Sequence, residues 1–489
     1  MAETVDLRAK PLTQGLIGPI PTRVELLMLS LMVLVAFFIR VYRLGDFPDT
    51  VLADEADNAQ SAEEILQGHP PPNGFFVLDW TDQPAFSAYK EAAFLKIFGF
   101  KIMALRMPSA LISALALIPF YFLLRFQLSL LSSFLASILL ATDVWFLNFS
   151  RSGWNCIDIG FYMLMAMLLL ILAVRTAVST RDKRLLSWVY FAASGFFCAL
   201  GLYGYPAGRA ITLAVAAYLP IMLILYRKEF KILLLGSIIL FSVEAAAFAP
   251  EAVYIARNWQ HFTGRTNVVF ILNNPEYKAN PVGTMLNQIK NNLQGPWIGN
   301  VNNTPQYSPV GEPQLDGFTG ILVLIGMILT FVDYKVRRQP ETWLWWLMLL
   351  AGWALTQLTT VDTPNGARGI GYMPTLVYFA GVGLDMFVTD LANITASTNW
   401  SFISSRLFAG LLVLAVLVAG YSNVKHYVDW QNNPRTRTAR YLYLTAREFP
   451  KWAADLEDRI KTGYQTYNVG IWRQWYPIVD ISNPYGTLR

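Results

Sequence analysis

Three acidic residues close together, Asp54, Glu55 and Asp57, are the strongest candidates for chemistry in this sequence. Neighbouring carboxylates raise one another's pKa by like-charge repulsion, and partial removal from water raises it further. A carboxylate tuned in this way can serve as a general base that takes a proton from a hydroxyl group. The alternative is structural, because acidic residues also stabilise the first turn of a helix.

Arginines at the ends of apolar stretches and in long polar connections form the second set of candidates. They are Arg106, Arg151, Arg209, Arg257, Arg265 and Arg368. A guanidinium group binds phosphate oxygens through paired hydrogen bonds, so several of these groups in one place would make a site for an anionic headgroup. Taken singly, each arginine could instead extend to the phosphates of ordinary lipids.

Polar and aromatic residues close to these arginines in the sequence extend the candidate site. Trp154 and Tyr205 could stack on the face of a sugar ring, although aromatic residues also anchor helices at membrane surfaces. Asp158 follows Asn155 by one helical turn, so both side chains could line the same cavity. Glu244 lies deeper in an apolar stretch and could mark a proton or ion path.

The composition places these residues in a membrane protein. The chain has 489 residues, of which 54% are hydrophobic and only 15% charged. Soluble domains carry about 25% charged residues, so these figures exclude a soluble domain, a disordered chain and a disulfide-stapled scaffold. The net charge of +5 is explained by basic cytoplasmic loops rather than by nucleic-acid binding. Cys156 and Cys198 lie in apolar stretches, which predicts buried thiols rather than a disulfide or zinc site.

Apolar stretches long enough to cross a bilayer, about 20 residues each, occur about eleven times. They lie near residues 24–42, 107–125, 130–148, 155–174, 186–204, 210–226, 232–250, 317–333, 341–360, 372–390 and 405–424. Basic residues precede the first stretch and occupy nearly every second connection, which places those connections and the N-terminus in the cytoplasm. An odd number of spans then puts the C-terminus outside. We therefore predict an all-α polytopic protein of the cell (plasma or inner) membrane.

Three long segments, 43–106, 251–316 and the tail 425–489, are expected on the outer face. In the first segment, 54–67 predicts a helix with an acidic first turn, and 84–98 predicts a second helix whose apolar residues share one face. This second helix is too short and too charged to span, so it should lie in the membrane interface. Segment 251–316 is expected to be an ordered loop that covers the site, and the tail contains an amphipathic stretch at 436–459.

The order of several short motifs resembles that of the polytopic GT-C glycosyltransferases, in particular the branch of protein O-mannosyltransferases and lipid A aminoarabinose transferases. The acidic pair Asp54-Glu55 follows the first span and leads into a helix that ends ILQG. The later motifs, in chain order, are TDQPAF, ALRMPSAL, SRSGWN, YGYPAGR and RGIGYMP. The resemblance extends from about residue 24 to residue 390.

This resemblance implies a GT-C-like transmembrane catalytic domain over residues 1–424, followed by the external tail 425–489. It further implies a membrane enzyme that uses a polyprenyl-phosphate sugar as donor on the extracytoplasmic face. Its motifs place the base at Asp54, with Glu55 beside it, and make the arginines at 106, 151, 209 and 368 candidates for donor-phosphate binding. Asn155, Asp158 and Tyr205 complete the predicted substrate site. The expected acceptor is a hydroxyl group of a protein, lipid or glycan, reached by inverting transfer.

Two departures from the family pattern limit the resemblance. The aminoarabinose branch has a lysine in a KPP segment where this chain reads Asp82-Gln83-Pro84-Ala85, and relatives often have an aspartate where this chain has Asn155. These differences argue against lipid A as acceptor, and Asp158 is a candidate substitute for the missing aspartate.

A metal and two other functions stay open at this stage. Asp54, Glu55, Asp57 and His69 could supply ligands to Mg²⁺ or Mn²⁺. The main alternative function is a transporter or flippase of lipid-linked sugars, with Glu244 and Asp158 as a relay. A purely structural membrane scaffold would leave the outer arginines unexplained.

Overall fold

The computed structural model of the chain is a bundle of helices. It describes residues 14–15, 18–19, 22–48, 53–68, 84–179, 184–299, 307–309, 311–361, 363–396 and 401–433. Two short strands, β1 (Gln14–Gly15) and β2 (Gly18–Pro19), form an antiparallel pair near the N-terminus. All eleven predicted apolar stretches lie in helices.

The helices of the first half, in chain order, are α1 (Thr22–Val41), α2 (Ala53–Leu66), α3 (Phe86–Phe98), α4 (Ile102–Leu115), α5 (Leu117–Arg125), α6 (Leu130–Thr142), α7 (Val144–Ser150), α8 (Asp158–Ser179), α9 (Arg184–Tyr203) and α10 (Arg209–Leu225). Those of the second half are α11 (Phe230–Arg257), α12 (Trp259–Val269), α13 (Pro275–Ala279), α14 (Pro281–Gln294), α15 (Gly317–Val332), α16 (Tyr334–Arg337), α17 (Pro340–Trp353), α18 (Gly366–Gly369), α19 (Met373–Ala396) and α20 (Ser401–Asn432).

Among the described residues, eight helical segments are long and apolar enough to cross a membrane. A ninth is the pair α6 and α7, which is bent by 60°. The bend falls at Asp143, whose backbone leaves the helical conformation and whose carboxylate accepts a hydrogen bond from the Phe146 N–H. The two remaining predicted spans are shorter: α15 has 16 residues, and α17 has 14 before it continues into a π-helical turn, Ala354–Leu358.

Close helix packing in the bundle depends on glycines, as is usual between membrane helices. A Cβ atom at Gly326 of α15 would lie 1.8 Å from the carbonyl oxygen of Phe379 in α19, and one at Gly195 of α9 would lie 2.1 Å from that of Leu240 in α11. Only residues without a side chain allow these backbones to approach so closely.

The two helices predicted in the first outer segment are both present, as α2 and α3. The predicted apolar face of α3 is turned outward: Ile97 is 70% exposed and Phe98 43%. The opposite face of α3, which includes Ser87 and Glu91, is buried against α2 and α4. Because exposed apolar side chains are stable in lipid but not in water, this orientation is typical of a helix in the membrane interface.

The second outer segment, 251–316, contains the end of α11 and the helices α12, α13 and α14. The last helix, α20, continues to Asn432 and so extends into the predicted tail, which begins at residue 425. The amphipathic stretch predicted at 436–459 lies outside the described residues.

Candidate active site

Glu55, in the first turn of α2, is held rigidly inside the protein. Its carboxylate is fully buried and accepts two hydrogen bonds from Arg106, Nε to Oε1 at 2.6 Å and Nη2 to Oε2 at 3.2 Å. The backbone N–H of Gly153 donates a third, at 2.8 Å. Asn58, one turn along α2, donates to the Gly153 carbonyl oxygen at 3.0 Å. The start of α2 is thereby fixed to α4 and to the connection 151–154.

Arg106, in α4, is buried with Glu55 and has further protein partners. Its Nη1 donates to the carbonyl oxygens of Pro48 at 2.7 Å and Leu44 at 3.3 Å. The guanidinium group therefore links the connection after α1 to α2 and α4. These contacts give Arg106 a structural task, whereas the sequence led us to expect donor-phosphate binding there.

Arg151, which follows α7, supports the end of α1 in a similar way. Its Nη1 donates to the carbonyl oxygens of Ile39 and Arg40, at 2.6 and 2.7 Å, and its Nη2 to those of Tyr42 and Phe47, at 2.9 and 2.7 Å. Carbonyl groups at the end of a helix lack intrahelical donors, and this arginine satisfies them. Arg151 is buried, so its geometry also favours a structural task over the predicted phosphate contact.

Asp54 differs from its neighbour Glu55 because its side chain is only partly buried. It lies close enough to Cys156 to act on that thiol electrostatically, and so does Asp158. Cys156 belongs to a 3-10 turn, Asn155–Ile157, that precedes α8. The acidic start of α2 and the start of α8 are therefore neighbours, as the prediction of one shared site requires.

Helix α3 supplies charged groups that the sequence did not assign to the site. Lys90 of α3 forms an ion pair with the buried Asp158. Glu91 is fully buried, and neither of its carboxylate oxygens has a hydrogen-bond partner among the described residues. Burial raises the pKa of Glu91 well above its ordinary value; Lys90 opposes the shift, and the carboxylates of Asp158 and Glu55 add to it. These two residues could have been found in the sequence as a Lys-Glu pair in the middle of the helix predicted to lie in the membrane interface.

Asn155 is buried beside this group, and no residue in the described part of the chain donates a hydrogen bond to its Oδ1. One oxygen of Asp158, Oδ1, is in the same condition. Buried acceptors without donors cost free energy, and such groups often mark places where a ligand or water completes the hydrogen bonding.

Arg209, the first residue of α10, is a partly buried cation with an unusual set of neighbours. Its guanidinium group lies over the ring of Phe262 in α12, 4.4 Å from the ring centroid. The buried carboxylate of Glu251 in α11 interacts with it electrostatically. No hydrogen bond joins the guanidinium to another described residue, so its N–H groups remain available to an anion. Neither Phe262 nor Glu251 could be identified from sequence, because Glu251 lies in the next helix along the chain and Phe262 in the one after it.

The guanidinium group of Arg368, in α18, donates one hydrogen bond to a described residue, from Nη1 to the carbonyl oxygen of Val361 at 2.6 Å. Asn365 caps the short helix by accepting a hydrogen bond from the Arg368 N–H. The helix packs against both the turn Asn155–Ile157 and the turn Pro206–Gly208 that precedes Arg209. The structure therefore brings together the elements that carry Asn155, Arg209 and Arg368.

A small cleft lies between α8, α10 and α17 and includes Arg368 in its wall. Most of its other lining residues are apolar, among them Ile159, Met163, Ile211 and Met348. One space therefore combines a cation with hydrocarbon surface.

Tyr205 belongs to an aromatic cluster at the same end of the bundle. Its ring meets that of Trp154 edge to face at 6.3 Å, and Trp154 lies 5.6 Å from Tyr307. Tyr205 is partly exposed whereas Trp154 is buried, so of the two only Tyr205 presents surface on which a sugar could stack.

No group of three His, Cys, Asp or Glu side chains in the described part of the chain is arranged to hold a metal ion. Glu55 and Asp158 already pair with Arg106 and Lys90. His69 and the side chain of Asp57, two of the predicted ligands, lie outside the described residues.

The described helices define a polytopic helical membrane protein, and two comparisons with known proteins agree with the resemblance found in the sequence. Residues 82–253, less than half of the chain, match the family model of dolichyl-phosphate-mannose-protein mannosyltransferases. No curated protein sequence is significantly similar to the chain.

Several solved structures have a similar fold. The archaeal oligosaccharyltransferase AglB from Archaeoglobus fulgidus, in complex with an inhibitory peptide and a dolichol-phosphate, has a TM-score of 0.55 and 14% identity over 85% of this chain and 59% of its own. The Archaeoglobus fulgidus oligosaccharyltransferase in complex with Zn and sulfate has a TM-score of 0.52 and 15% identity over 87% of this chain and 56% of its own. ArnT from Cupriavidus metallidurans, bound to undecaprenyl phosphate, has a TM-score of 0.47 and 12% identity over 91% of this chain and 82% of its own. The chain spans less than two thirds of the archaeal proteins, and at these identities its likeness to them is one of fold.

Proposed function

We propose that the chain is a membrane glycosyltransferase that moves a sugar from a polyprenyl-phosphate carrier to an acceptor hydroxyl on the extracytoplasmic face. Three lines of evidence support the proposal. They are the GT-C-like fold, the match of residues 82–253 to the family of dolichyl-phosphate-mannose-protein mannosyltransferases, and the cluster of cations and carboxylates at one end of the helices. In this orientation the N-terminus is cytoplasmic and the C-terminus extracytoplasmic.

The observation that carries the proposal is that two adjacent carboxylates have different environments. Glu55 is buried and clamped by Arg106 and the Gly153 N–H, whereas Asp54 is partly accessible beside the turn that carries Asn155. A residue that must meet a substrate needs access, and its neighbour must hold it in place. Asp54 therefore has the position of a catalytic base, and Glu55 that of a positioning residue.

In the proposed reaction, an Asp54 oxygen accepts the proton of the acceptor hydroxyl while the hydroxyl oxygen attacks the anomeric carbon. The bond between that carbon and the phosphate oxygen breaks, and the electron pair leaves with the polyprenyl phosphate. Attack from the face opposite the phosphate inverts the anomeric centre. The carboxylate increases the nucleophilicity of the hydroxyl, a contribution of about 10²–10⁴ in rate for general-base catalysis.

We assign donor-phosphate binding to Arg209 and Arg368. The Arg209 guanidinium is stacked on Phe262 with its N–H groups uncommitted, and Arg368 lines a cleft with otherwise mostly apolar walls. A cation beside hydrocarbon surface suits a phosphate attached to an isoprenoid chain. In the transition state these groups would stabilise the negative charge that develops on the leaving phosphate.

A divalent cation, Mg²⁺ or Mn²⁺, is a further candidate participant. Of the predicted ligands Asp54 and Glu55, Asp54 is partly exposed whereas Glu55 is buried with Arg106, so Asp54 is the better placed of the two to contact a cation. A bound cation would supply additional charge stabilisation to the phosphate. Turnover with and without exhaustive chelation tests this role: a divalent ion that takes part directly predicts loss on chelation and recovery on adding back Mg²⁺ or Mn²⁺.

The proposed transfer can be tested with the purified full-length protein in lipid nanodiscs. A synthetic polyprenyl-phosphate mannose, labelled in the sugar, is supplied together with an extract of membrane acceptors, and both free polyprenyl phosphate and labelled acceptors are measured by mass spectrometry. We expect wild-type protein to transfer the label, and Asp54→Asn to lower the rate by at least about 10²-fold. Glu276→Gln, an exposed carboxylate in α13, is the matched control and should retain activity.

Two outcomes would contradict the proposal. Wild-type-like turnover by Asp54→Asn would remove this residue as the base. In sealed vesicles, movement of the intact labelled donor across the bilayer, with no cleavage by the wild-type protein of any sugar in a donor panel, would identify a transporter of lipid-linked sugars instead.

A further inference from the structure

The second outer segment contains a helix whose apolar side is not covered by any described part of the chain. In α14, Val282, Leu286 and Leu293 are 69%, 62% and 56% exposed. At 100° per residue these three positions fall within about 40° of one another around the helix axis, so they form a single stripe.

The polar residues of α14 face in two other directions. Gln288 and Asn292 are buried: the Gln288 Nε2 donates to the carbonyl oxygen of Thr360 at 3.0 Å, and the Asn292 Nδ2 donates to Thr363 Oγ1 at 3.2 Å. Asn287 and Lys290 are exposed on the remaining side. The helix thus has one side bound to the protein through polar groups, one polar side toward solvent and one apolar stripe between them.

We propose that α14 is an interfacial helix whose apolar stripe, Val282, Leu286 and Leu293, inserts into the outer leaflet of the membrane. A helix with this three-sided division lies stably at the boundary between headgroups and acyl chains, because only there do both exposed sides meet a matching environment.

Two observations favour lipid over water or a protein partner as the cover. The helix packs against the π-helical turn Ala354–Leu358 at the end of α17, and Leu350 and Leu355 in that region are themselves exposed, so the stripe continues the apolar surface of the bundle. Lys290 is the single charged residue of α14, and its ammonium group can reach lipid phosphates from the edge of the stripe.

The contact also links the leaflet to the candidate site. Gln288 and Asn292 hold residues 360 and 363, and the carbonyl oxygen of Val361 between them accepts the hydrogen bond from Arg368. An anchored α14 would therefore fix the height of the Arg368 segment relative to the membrane surface. The membrane contact itself does not depend on the proposed glycosyl transfer.

Site-directed spin labelling of the full-length protein tests the inference. Nitroxide labels are attached to Leu286→Cys and Asn287→Cys variants reconstituted in vesicles of phosphatidylcholine and phosphatidylglycerol. Cys156 and Cys198 are buried, so unsubstituted protein should take up little label and serves as the background. We expect the label at 286 to collide more often with oxygen, which concentrates in lipid, than with a water-soluble nickel complex, and the label at 287 to show the reverse.

Equal exposure of both labels to the nickel complex would place the stripe in water and overturn the inference. Protection of the 286 label from both reagents would also overturn it, because a protein, such as a second copy of the chain, would then cover the stripe. Val282→Cys provides an independent position on the same stripe should the Leu286 variant fail to fold.

Discussion

Replacement of Glu55 by Gln should separate stability from catalysis at the acidic pair. The substitution keeps the shape of the side chain and one oxygen that can accept the Gly153 N–H, but it removes the charge opposite Arg106. Both members of this ion pair are almost completely buried, and the Nε–Oε1 distance is 2.6 Å. The Arg106 charge would remain buried with only neutral acceptors among the contacts described above.

The expected cost follows from this geometry. Removing one member of a buried ion pair destabilises proteins by about 3–5 kcal/mol, because the other charge is left uncompensated. Glu55→Gln should lie at the lower end of that range, since Arg106 keeps its contacts with the carbonyl oxygens of Pro48 and Leu44. Asp54→Asn should cost less than about 1 kcal/mol, because Asp54 is only partly buried.

Thermal unfolding in detergent micelles, followed by tryptophan fluorescence, and turnover measured well below the melting temperature form the two readouts. Glu55→Gln should lower the melting temperature clearly and change turnover less than Asp54→Asn does, whereas Asp54→Asn should abolish most turnover and keep the wild-type melting temperature. A double-mutant cycle with Arg106→Met should show that the two losses of stability are not additive. If Glu55→Gln melts like the wild type, or if the two substitutions give the same pattern, the division of roles is refuted.

Three further predictions concern residues outside this pair. Arg209→Lys should raise the KM for the lipid-linked donor about tenfold or more, because lysine loses both the planar stacking on Phe262 and paired hydrogen bonds to phosphate. Arg257→Lys, at an exposed position, should leave this KM unchanged. Equal KM values for the two variants would exclude Arg209 from the phosphate site. Between the ordinary and the raised pKa of Glu91, the folded protein holds the Glu91 proton and the unfolded chain has lost it. Stability should therefore fall as the pH rises from about 4.5 toward the raised pKa, and melting curves from pH 5 to 8 should show a smaller loss for Glu91→Gln. A wild-type-like pH dependence in the variant would contradict this. Gly326→Ala should destabilise the bundle by about 1–3 kcal/mol, because its Cβ would meet the Phe379 carbonyl oxygen. Gly410→Ala, with open space around it, should be neutral in the same thermal assay.

Much of the architecture could be predicted from local features of the sequence. The positions of the apolar helices follow from hydropathy and length, and α2 and α3 follow from helix periodicity and from their Gly and Pro boundaries. The apolar face of α3 was also visible, since its apolar residues recur at helical spacing. The sequence could not show that the face opposite them is the one that packs on α2 and α4 and buries Glu91.

The individual tasks of the site residues depended on contacts between distant parts of the chain. By sequence alone, Arg106, Arg151, Arg209 and Arg368 were equivalent candidates for phosphate binding. In the tertiary structure, Arg106 pairs with Glu55, and Arg151 donates to carbonyl oxygens at and just after the end of α1. Arg209 lies over the ring of Phe262, and its guanidinium forms no hydrogen bond with a described residue.

The sequence by itself therefore determined the class of the protein, its helices and the acidic pair at the start of α2. Only the tertiary structure decided which carboxylate is clamped, that Lys90 pairs with Asp158, and that Arg106 and Arg151 bind other parts of the chain. The physical reason is that hydropathy and helical period are properties of neighbouring residues, whereas a buried charge is stable only beside a partner, and that partner comes from whichever segment the fold brings next to it.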